Sequence, residues 1–259
     1  MNIRLKPCRF CGEVTAISSK SDAHRLLIAS ALSDRPTFIR CNARSADITA
    51  TVNCLNSLGA DIKFVDGGIS VKPIKEKRKS AVLDCNESGS TIRFLLPVAA
   101  SLGTNTEFTG GGRLPERPLS PLREQMEAHG VVFSPINVFP VKINGEMISG
   151  EFTIKGNISS QFITGLLFAL PLLNGNSIIN VIPPVESRPY IDMTLNTLKK
   201  FGITVTEKSN SFFIPGGQKY ASPGTVESEG DWSNSAFFLT AGAVSGRVTV
   251  TGLDVSSVQ

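Results

Sequence analysis

The sequence predicts an α/β (α+β) fold, a pseudo-threefold repeat of β-α-β-α-β-β modules with helices buried and sheets outside. Three observations carry that expectation. A Ser-rich entry into an apolar helical run recurs about every 71 residues, at Lys20-Ser21-Asp22-Ala23, Glu87-Ser88-Gly89-Ser90 and Ser159-Ser160-Gln161-Phe162. A second helical run in each copy ends at Gly59, Gly130 and Gly202, spaced 130 − 59 = 71 and 202 − 130 = 72. The first run of the third copy, Phe162 to Leu170, has no charged face, whereas the hairpins alternate apolar and polar residues. A helix apolar all round is buried, and an alternating strand keeps one face in water. The period is too long for a solenoid unit and fits a small module used three times in one body.

In the first copy, Ala23, Leu26, Leu27, Ala31 and Leu32 recur at helical spacing and predict a helix over 21–32. Asp34-Arg35-Pro36 ends it, and Thr37 to Arg40 reads as a short strand. A second helix over 47–58 carries Ile48, Val52, Leu55 and Leu58 on one face, with Gly59 as its C-terminal cap. Asp66-Gly67-Gly68 then joins two strands as a hairpin. The second copy repeats the order over 90–100, 106–108, 119–129, 131–134 and 141–143. The third does so over 160–173, 177–181, 191–201, 203–206 and 211–214. A fourth opening, Asp231-Trp232-Ser233-Asn234-Ser235, leads only into an apolar run over 236–244 and one strand. The repeats are expected at about 19–86, 87–157 and 158–230.

Net charge is 26 − 22 = +4, a mild excess that suits small anionic ligands better than nucleic acid. The basic run from Lys72 to Lys79 reads as a solvated connection. Five cysteines, an odd count behind an N-terminus with no apolar leader, point to reduced thiols and a cytoplasmic protein. The longest apolar stretch, Phe162 to Leu173, is too short to span a bilayer and contains Pro171, so no membrane partner is expected. Cys8-Arg9-Phe10-Cys11 stands alone, without the second ligand pair that a metal site needs, and no metal is expected.

The helix entries are where chemistry is expected. Each begins with hydroxyl or glycine residues, Ser19-Lys20-Ser21, Ser88-Gly89-Ser90 and Ser159-Ser160. Serine is a good N-cap in its own right, which suffices for any one of them. Three equivalent starts carrying extra cations point further, to a pocket of unpaired N–H groups and positive dipole ends that binds phosphate or carboxylate. Ser21 and Arg25 share one helix face, as do Lys20 and His24. Arg117 precedes a helix with Pro118 as its expected first residue, and Arg188 holds the equivalent place 188 − 117 = 71 residues on. Either guanidinium could grip an anion or close a loop-to-loop salt bridge. His24 is a candidate lining residue of the pocket, whereas His129 reads as a histidine at a helix C-terminus.

Six colinear motifs carry a resemblance across the whole chain. They are Ser-Lys-Ser-x-x-x-Arg at 19–25, Ser-Gly-Ser-Thr-x-Arg at 88–93, Glu-Arg-Pro-Leu at 116–119, Ser-Ser-Gln-Phe at 159–162, Ser-Arg-Pro-Tyr-Ile-Asp at 187–192 and Glu-Gly-Asp-Trp-Ser at 229–233. Together they resemble the 5-enolpyruvylshikimate-3-phosphate (EPSP) synthase family. The resemblance implies the family's inverted α/β fold and an enolpyruvyl transferase with no metal or organic cofactor. It implies transfer of the enolpyruvyl group of phosphoenolpyruvate to the 5-hydroxyl of shikimate 3-phosphate, by addition and then elimination of phosphate. By motif, Ser21 and Arg25 would hold shikimate 3-phosphate, Ser159, Ser160 and Ser187 its phosphate, and Gln161 and Tyr190 would lie near its ring. Gly89 and Arg117 would hold phosphoenolpyruvate, with Lys20 and Gln161 near both ligands. Where the family often has Asn-Ala-Gly-Thr, this chain has Glu87-Ser88-Gly89-Ser90, which would bear on affinity for phosphoenolpyruvate or the inhibitor glyphosate.

The resemblance also implies a second, similar domain, with residues 1–18 and 236–259 belonging to it and with the acid–base groups on it. On that reading the chain binds shikimate 3-phosphate as a monomer but does not turn over alone. UDP-N-acetylglucosamine enolpyruvyl transferase shares the architecture, but its loop cysteine has no counterpart over 110–119. Two other readings remain at this point: a standalone module that sequesters a phosphorylated metabolite, and a polynucleotide binder of similar repeated architecture.

Overall fold

The computed structural model describes residues 9–135 and 139–259, and Cys8, half of the Cys-x-x-Cys pair, lies outside them. In chain order a strand β1 (Cys11–Thr15) comes first. Next are α1 (Lys20–Ala31), β2 (Thr37–Arg40), α2 (Ala46–Ser57), β3 (Asp61–Val65) and β4 (Gly68–Lys72). The second set is β5 (Ser80–Asp84), α3 (Gly89–Ser101), β6 (Asn105–Thr109), α4 (Leu122–Ala128), β7 (Val132–Ser134) and β8 (Val141–Asn144). The third is β9 (Glu151–Lys155), α5 (Ser160–Ala169), β10 (Ser177–Ile182), α6 (Arg188–Lys200), β11 (Thr206–Lys208) and β12 (Ser211–Ile214). Last come β13 (Thr225–Glu227), α7 (Trp232–Ser245) and β14 (Arg247–Thr251).

Three four-stranded sheets share one plan, β13-β2-β4-β3, β5-β6-β8-β7 and β9-β10-β12-β11. The first pair in each is parallel and the other two pairs are antiparallel. The pseudo-threefold, inverted α/β architecture expected from the repeat is the one present. The first sheet takes its parallel edge from β13, paired Thr225↔Phe38, Val226↔Ile39 and Glu227↔Arg40. The third repeat was expected to run to about 230, so these residues complete the first sheet instead.

The helices form the interior. Ala23, Leu26, Leu27 and Ile28 of α1, Leu95 and Leu96 of α3, and Phe162, Leu166 and Phe168 of α5 are fully buried. The strands alternate, as in β9, where Phe152 and Ile154 point inward between exposed neighbours. α3 and α5 approach closely enough that a Cβ on Gly165 would strike the carbonyl oxygen of Arg93 and lie 3.1 Å from Pro97 Cγ. Gly59, Gly130 and Gly202 all take positive φ and end α2, α4 and α6 as expected.

Several boundaries differ from expectation. α5 ends at Ala169, short of 173, where a 3-10 turn, Leu170–Leu172, takes over, and α6 starts at Arg188 rather than 191. α4 starts at Leu122, with Pro121 as its N-cap, so Pro118 is not its first residue. A 3-10 turn, Leu114–Glu116, and the extended Arg117 take up the intervening chain. β11 starts at Thr206 rather than 203, because Ile203 is buried and its N–H closes the end of α6 on Leu198 O at 2.9 Å.

β1 and β14 form their own parallel two-stranded sheet, separate from the other three. The chain enters and leaves the three-sheet body side by side: Ser19 N–H donates to Glu229 O at 2.7 Å and Asp231 N–H to Ile17 O at 2.8 Å. α7 is helical from its Asp231 cap but exposes Phe237 (77%) and Val244 (80%). Among the described residues no helix is long and apolar enough to cross a membrane.

Candidate active site

Ser19, Ser88 and Ser159 cap α1, α3 and α5, their hydroxyls accepting from the N–H groups of Asp22, Thr91 and Gln161. The capping function expected of serine is therefore used, and at the head of α1 the Lys20 N–H is also taken, by Asp231 Oδ2 at 3.2 Å. The starts of α3 and α5 meet: Gln161 Nε2 donates to Ser90 Oγ at 2.9 Å, and Gln161 Oε1 accepts from Arg93 Nη1 at 2.7 Å. Gly89 lies under Arg117, so that a Cβ there would come 2.6 Å from Arg117 Nη1. Gly89, Ser90, Arg117 and Gln161 are thus brought together. Glu87, the departure from the family pattern, rests its carboxylate against the bare Cα of Gly112 in the following loop.

Arg25 occupies a different depth. It is 2% exposed, and its guanidinium is spent largely on the protein. Nε donates to Thr194 Oγ1 at 2.9 Å, Nη1 to Ser21 O at 2.6 Å, and Nη2 to Tyr190 O at 2.8 Å and Thr164 Oγ1 at 3.4 Å. The rings of Phe94 and Tyr190 lie 5.3 and 5.9 Å from its Cζ. Burial lowers its pKa to about 10, against the opposing pull of Asp22 and Tyr190. Ser21 is joined to Arg25 and Tyr190 through these bonds.

Lys20 is nearer the surface and pairs with Asp47 at 2.9 Å. Ser160 is buried, and Ser187 is exposed at the head of α6 in the left-handed region, φ 56°, with no side-chain capping bond. A non-glycine residue there is strained, and such strain collects at ligand sites. Arg188 does not share the role expected for Arg117. Its Nη atoms each meet a Glu207 oxygen at 2.7 Å and its Nε meets Asp192 at 2.7 Å, a closed ion pair that raises its pKa.

His24 lies off the pocket, fully buried. Thr91 Oγ1 donates to Ser88 Oγ at 2.7 Å, so it accepts from Thr51 Oγ1 at 2.7 Å, which in turn accepts from His24 Nδ1 at 2.8 Å. The proton therefore sits on Nδ1, and bare Nε2 is buried with no partner among the described residues. Burial depresses the pKa to about 3. Unfolded histidine titrates near 6.5, so below that pH the unfolded chain binds the extra proton and this histidine's contribution to stability is lost, by up to about 1.4 kcal/mol per pH unit. Denaturant unfolding of wild type and His24→Leu from pH 7 to 4.5 is expected to show the steeper fall in wild type. Parallel slopes would refute it.

Arg93 and Asp47 were not among the residues expected in the site. The signal for Arg93 was present, a cation in the first turns of a buried helix, the same feature that singled out Arg25. Among the described residues neither Arg25, Arg93 nor Arg117 pairs with a carboxylate. The head of α1 carries Asp22, and its Lys20 N–H donates to Asp231 Oδ2 at 3.2 Å. The first turns of α3 and α5 hold no acid, and clustered cations beside such helix starts attract an anion.

A family model described as EPSP synthase (3-phosphoshikimate 1-carboxyvinyltransferase) matches residues 6–259. The 3-phosphoshikimate 1-carboxyvinyltransferase of Brachyspira hyodysenteriae is 40% identical over 262 residues, covering 100% of this chain and 62% of the relative. That of Clostridium acetobutylicum is 40% identical over 265 residues, covering 99% and 61%. The chain thus spans just over three-fifths of the length of these curated relatives. Two solved structures of EPSP synthase from Acinetobacter baumannii each superpose with a TM-score of 0.79, at 20% and 21% identity. They cover 95% and 96% of this chain and 56% and 57% of theirs, a likeness of fold.

Proposed function

The chain belongs to the EPSP synthase family, and on that premise we propose that it serves the transfer of the enolpyruvyl group of phosphoenolpyruvate to the 5-hydroxyl of shikimate 3-phosphate. Phosphate is the other product. Both substrates are polyanions, matching guanidinium groups that pair with no carboxylate among the described residues and the acid-free first turns of α3 and α5. Ser159, Ser160 and Ser187 take the phosphate of shikimate 3-phosphate, Ser21 and Arg25 hold the same ligand, and Gln161 and Tyr190 border its ring. Gly89 and Arg117 take phosphoenolpyruvate, and Lys20 and Gln161 lie between the two.

The observation that carries this reading is the junction where Arg117 crosses bare Gly89 beside the Gln161–Ser90 bond. Residues 19–235 are read as one domain, and 1–18 with 236–259 as parts of a second that supplies the acid–base groups. Support comes from β1 and β14, which among the described residues pair only with each other, and from the exposed apolar residues of α7.

Calorimetric titration of the chain with shikimate 3-phosphate tests the reading, and saturable binding is the expected result. No detectable heat from a folded sample would reject a preformed half-site. Gly89→Ala is the discriminating variant. Its methyl displaces a flexible guanidinium, so stability should change by less than about 1 kcal/mol. Phosphoenolpyruvate affinity, measured with shikimate 3-phosphate saturating, should fall about tenfold, the worth of one charge-assisted bond. Equal loss for both ligands would place Gly89 elsewhere in the site.

A further inference from the structure

Arg93 sits one turn into α3 and reaches out of it in two directions. Nη1 donates to Gln161 Oε1 at 2.7 Å, and Nη2 donates to Pro118 O at 3.0 Å, the carbonyl immediately after Arg117. Its Cζ lies 5.1 Å from the centre of the Phe162 ring, one residue beyond Gln161. Its Nε is buried with no partner among the described residues. Burial lowers its pKa, and the charge of Arg117 lowers it further. A cation held against desolvation and a like charge, with no carboxylate to balance it, is a poor choice for stability alone.

What it does supply is orientation. The two ends of a glutamine amide are nearly identical in shape, so packing does not choose between them. A guanidinium has only donors and faces only the carbonyl end. With Oε1 turned to Arg93, Nε2 turns to Ser90 Oγ at the head of α3, and one of its two N–H bonds is satisfied there. The second N–H is left for a ligand. A flipped amide would present an oxygen to an anion and repel it.

We infer that Arg93 is a positioning residue: it locks the Gln161 amide donor-outward and, through Pro118, holds the segment that carries Arg117. Both anion contacts are then set by one side chain that touches neither substrate. The inference rests on the reading that Gln161 and Arg117 contact the substrates.

The test uses three variants of the full chain. Arg93→Met keeps the stem over Phe162 and removes both bonds, Arg93→Lys keeps the charge but not the fork, and Gln161→Glu makes both ends of the side chain acceptors. The side-chain amide signals of Gln161, assigned by their loss in Gln161→Glu, report its orientation without any ligand. In Arg93→Met they should move toward free-amide positions and exchange faster with solvent. The dissociation constant for shikimate 3-phosphate should rise about tenfold in Arg93→Met, as loss of a charge-assisted contact implies, with Arg93→Lys in between. Gln161→Glu should raise the melting temperature by pairing with Arg93 while weakening the same ligand at least tenfold. That opposition would not arise from a merely structural role. A dissociation constant within twofold of wild type for Arg93→Met would overturn the inference, as would unmoved amide signals. Failure of the wild-type chain to bind shikimate 3-phosphate would instead reject the underlying functional reading, with the amide signals still deciding whether Arg93 holds Gln161.

Discussion

Replacing Arg25 with alanine should lower the unfolding free energy by about 3 kcal/mol, since large-to-small changes in a core cost about 2–5 kcal/mol. The guanidinium ties α1 to α5 and α6, and its removal takes one partner from Thr194 Oγ1 and from the carbonyl oxygens of Tyr190 and Ser21, although Thr194 Oγ1 still donates to Tyr190 O at 2.9 Å. A hydrogen bond to a charged group contributes about 1.5–3 kcal/mol net. Relief from burying an unpaired charge offsets part of this, which is why the expected loss sits in the lower half of that range. Urea unfolding followed by circular dichroism measures it, and a change below about 1 kcal/mol would show that the network contributes little to the fold. Shikimate 3-phosphate binding should weaken by at least about 1.5 kcal/mol in the same variant. Binding unchanged alongside lost stability would make Arg25 structural only.

Gly165→Val carries the other large expected effect. The first carbon of any side chain at 165 would collide with Arg93 O and lie 3.3 Å from Phe94 Cα, both backbone atoms of α3 that cannot swing aside. Valine adds two further methyl groups and forces the helices apart, at about 3 kcal/mol by the usual cost of overpacking. Separation of α3 from α5 would also stretch the bonds from Gln161 to Arg93 and Ser90. Thermal unfolding and ligand titration should therefore fall together. A variant of wild-type stability would mean that α3 can shift as a body, which contradicts the burial of Leu95, Leu96 and Val98 on its other sides.

Periodicity sufficed to find α1, α2, α3, α5 and α6 because each buries an apolar face, but it carried α5 past Ala169, where the chain passes into a 3-10 turn at Pro171. The same logic mistook the start of α4, where two prolines compete and the second one won. Of the site, the Gly89–Arg117 and Gln161 cluster was legible from motif and spacing. The burial of Arg25 was not, since a charged residue gives no sign that neutral oxygens from α5 and α6 will surround it. Nor was the bond between Arg93 and Gln161, which joins residues 68 positions apart across a helix interface. His24 shows the reverse error: polarity suggested the pocket, yet a hydroxyl chain through Thr51 and Thr91 made it a core residue.

β13 has a consequence for how the molecule is made. Synthesis runs from the N-terminus, so α1, β2, α2, β3 and β4 emerge early, but the parallel neighbour of β2 arrives 225 − 38 = 187 residues later. Until then the Thr37–Arg40 edge offers unpaired backbone groups to any passing strand. The first of the three four-stranded sheets to emerge is thus the last of the three to be sealed, and pairing over so long a stretch of chain is slow. A three-residue strand works as a clasp, and for as long as it is undone the growing chain is most exposed to misassembly with its neighbours on the ribosome.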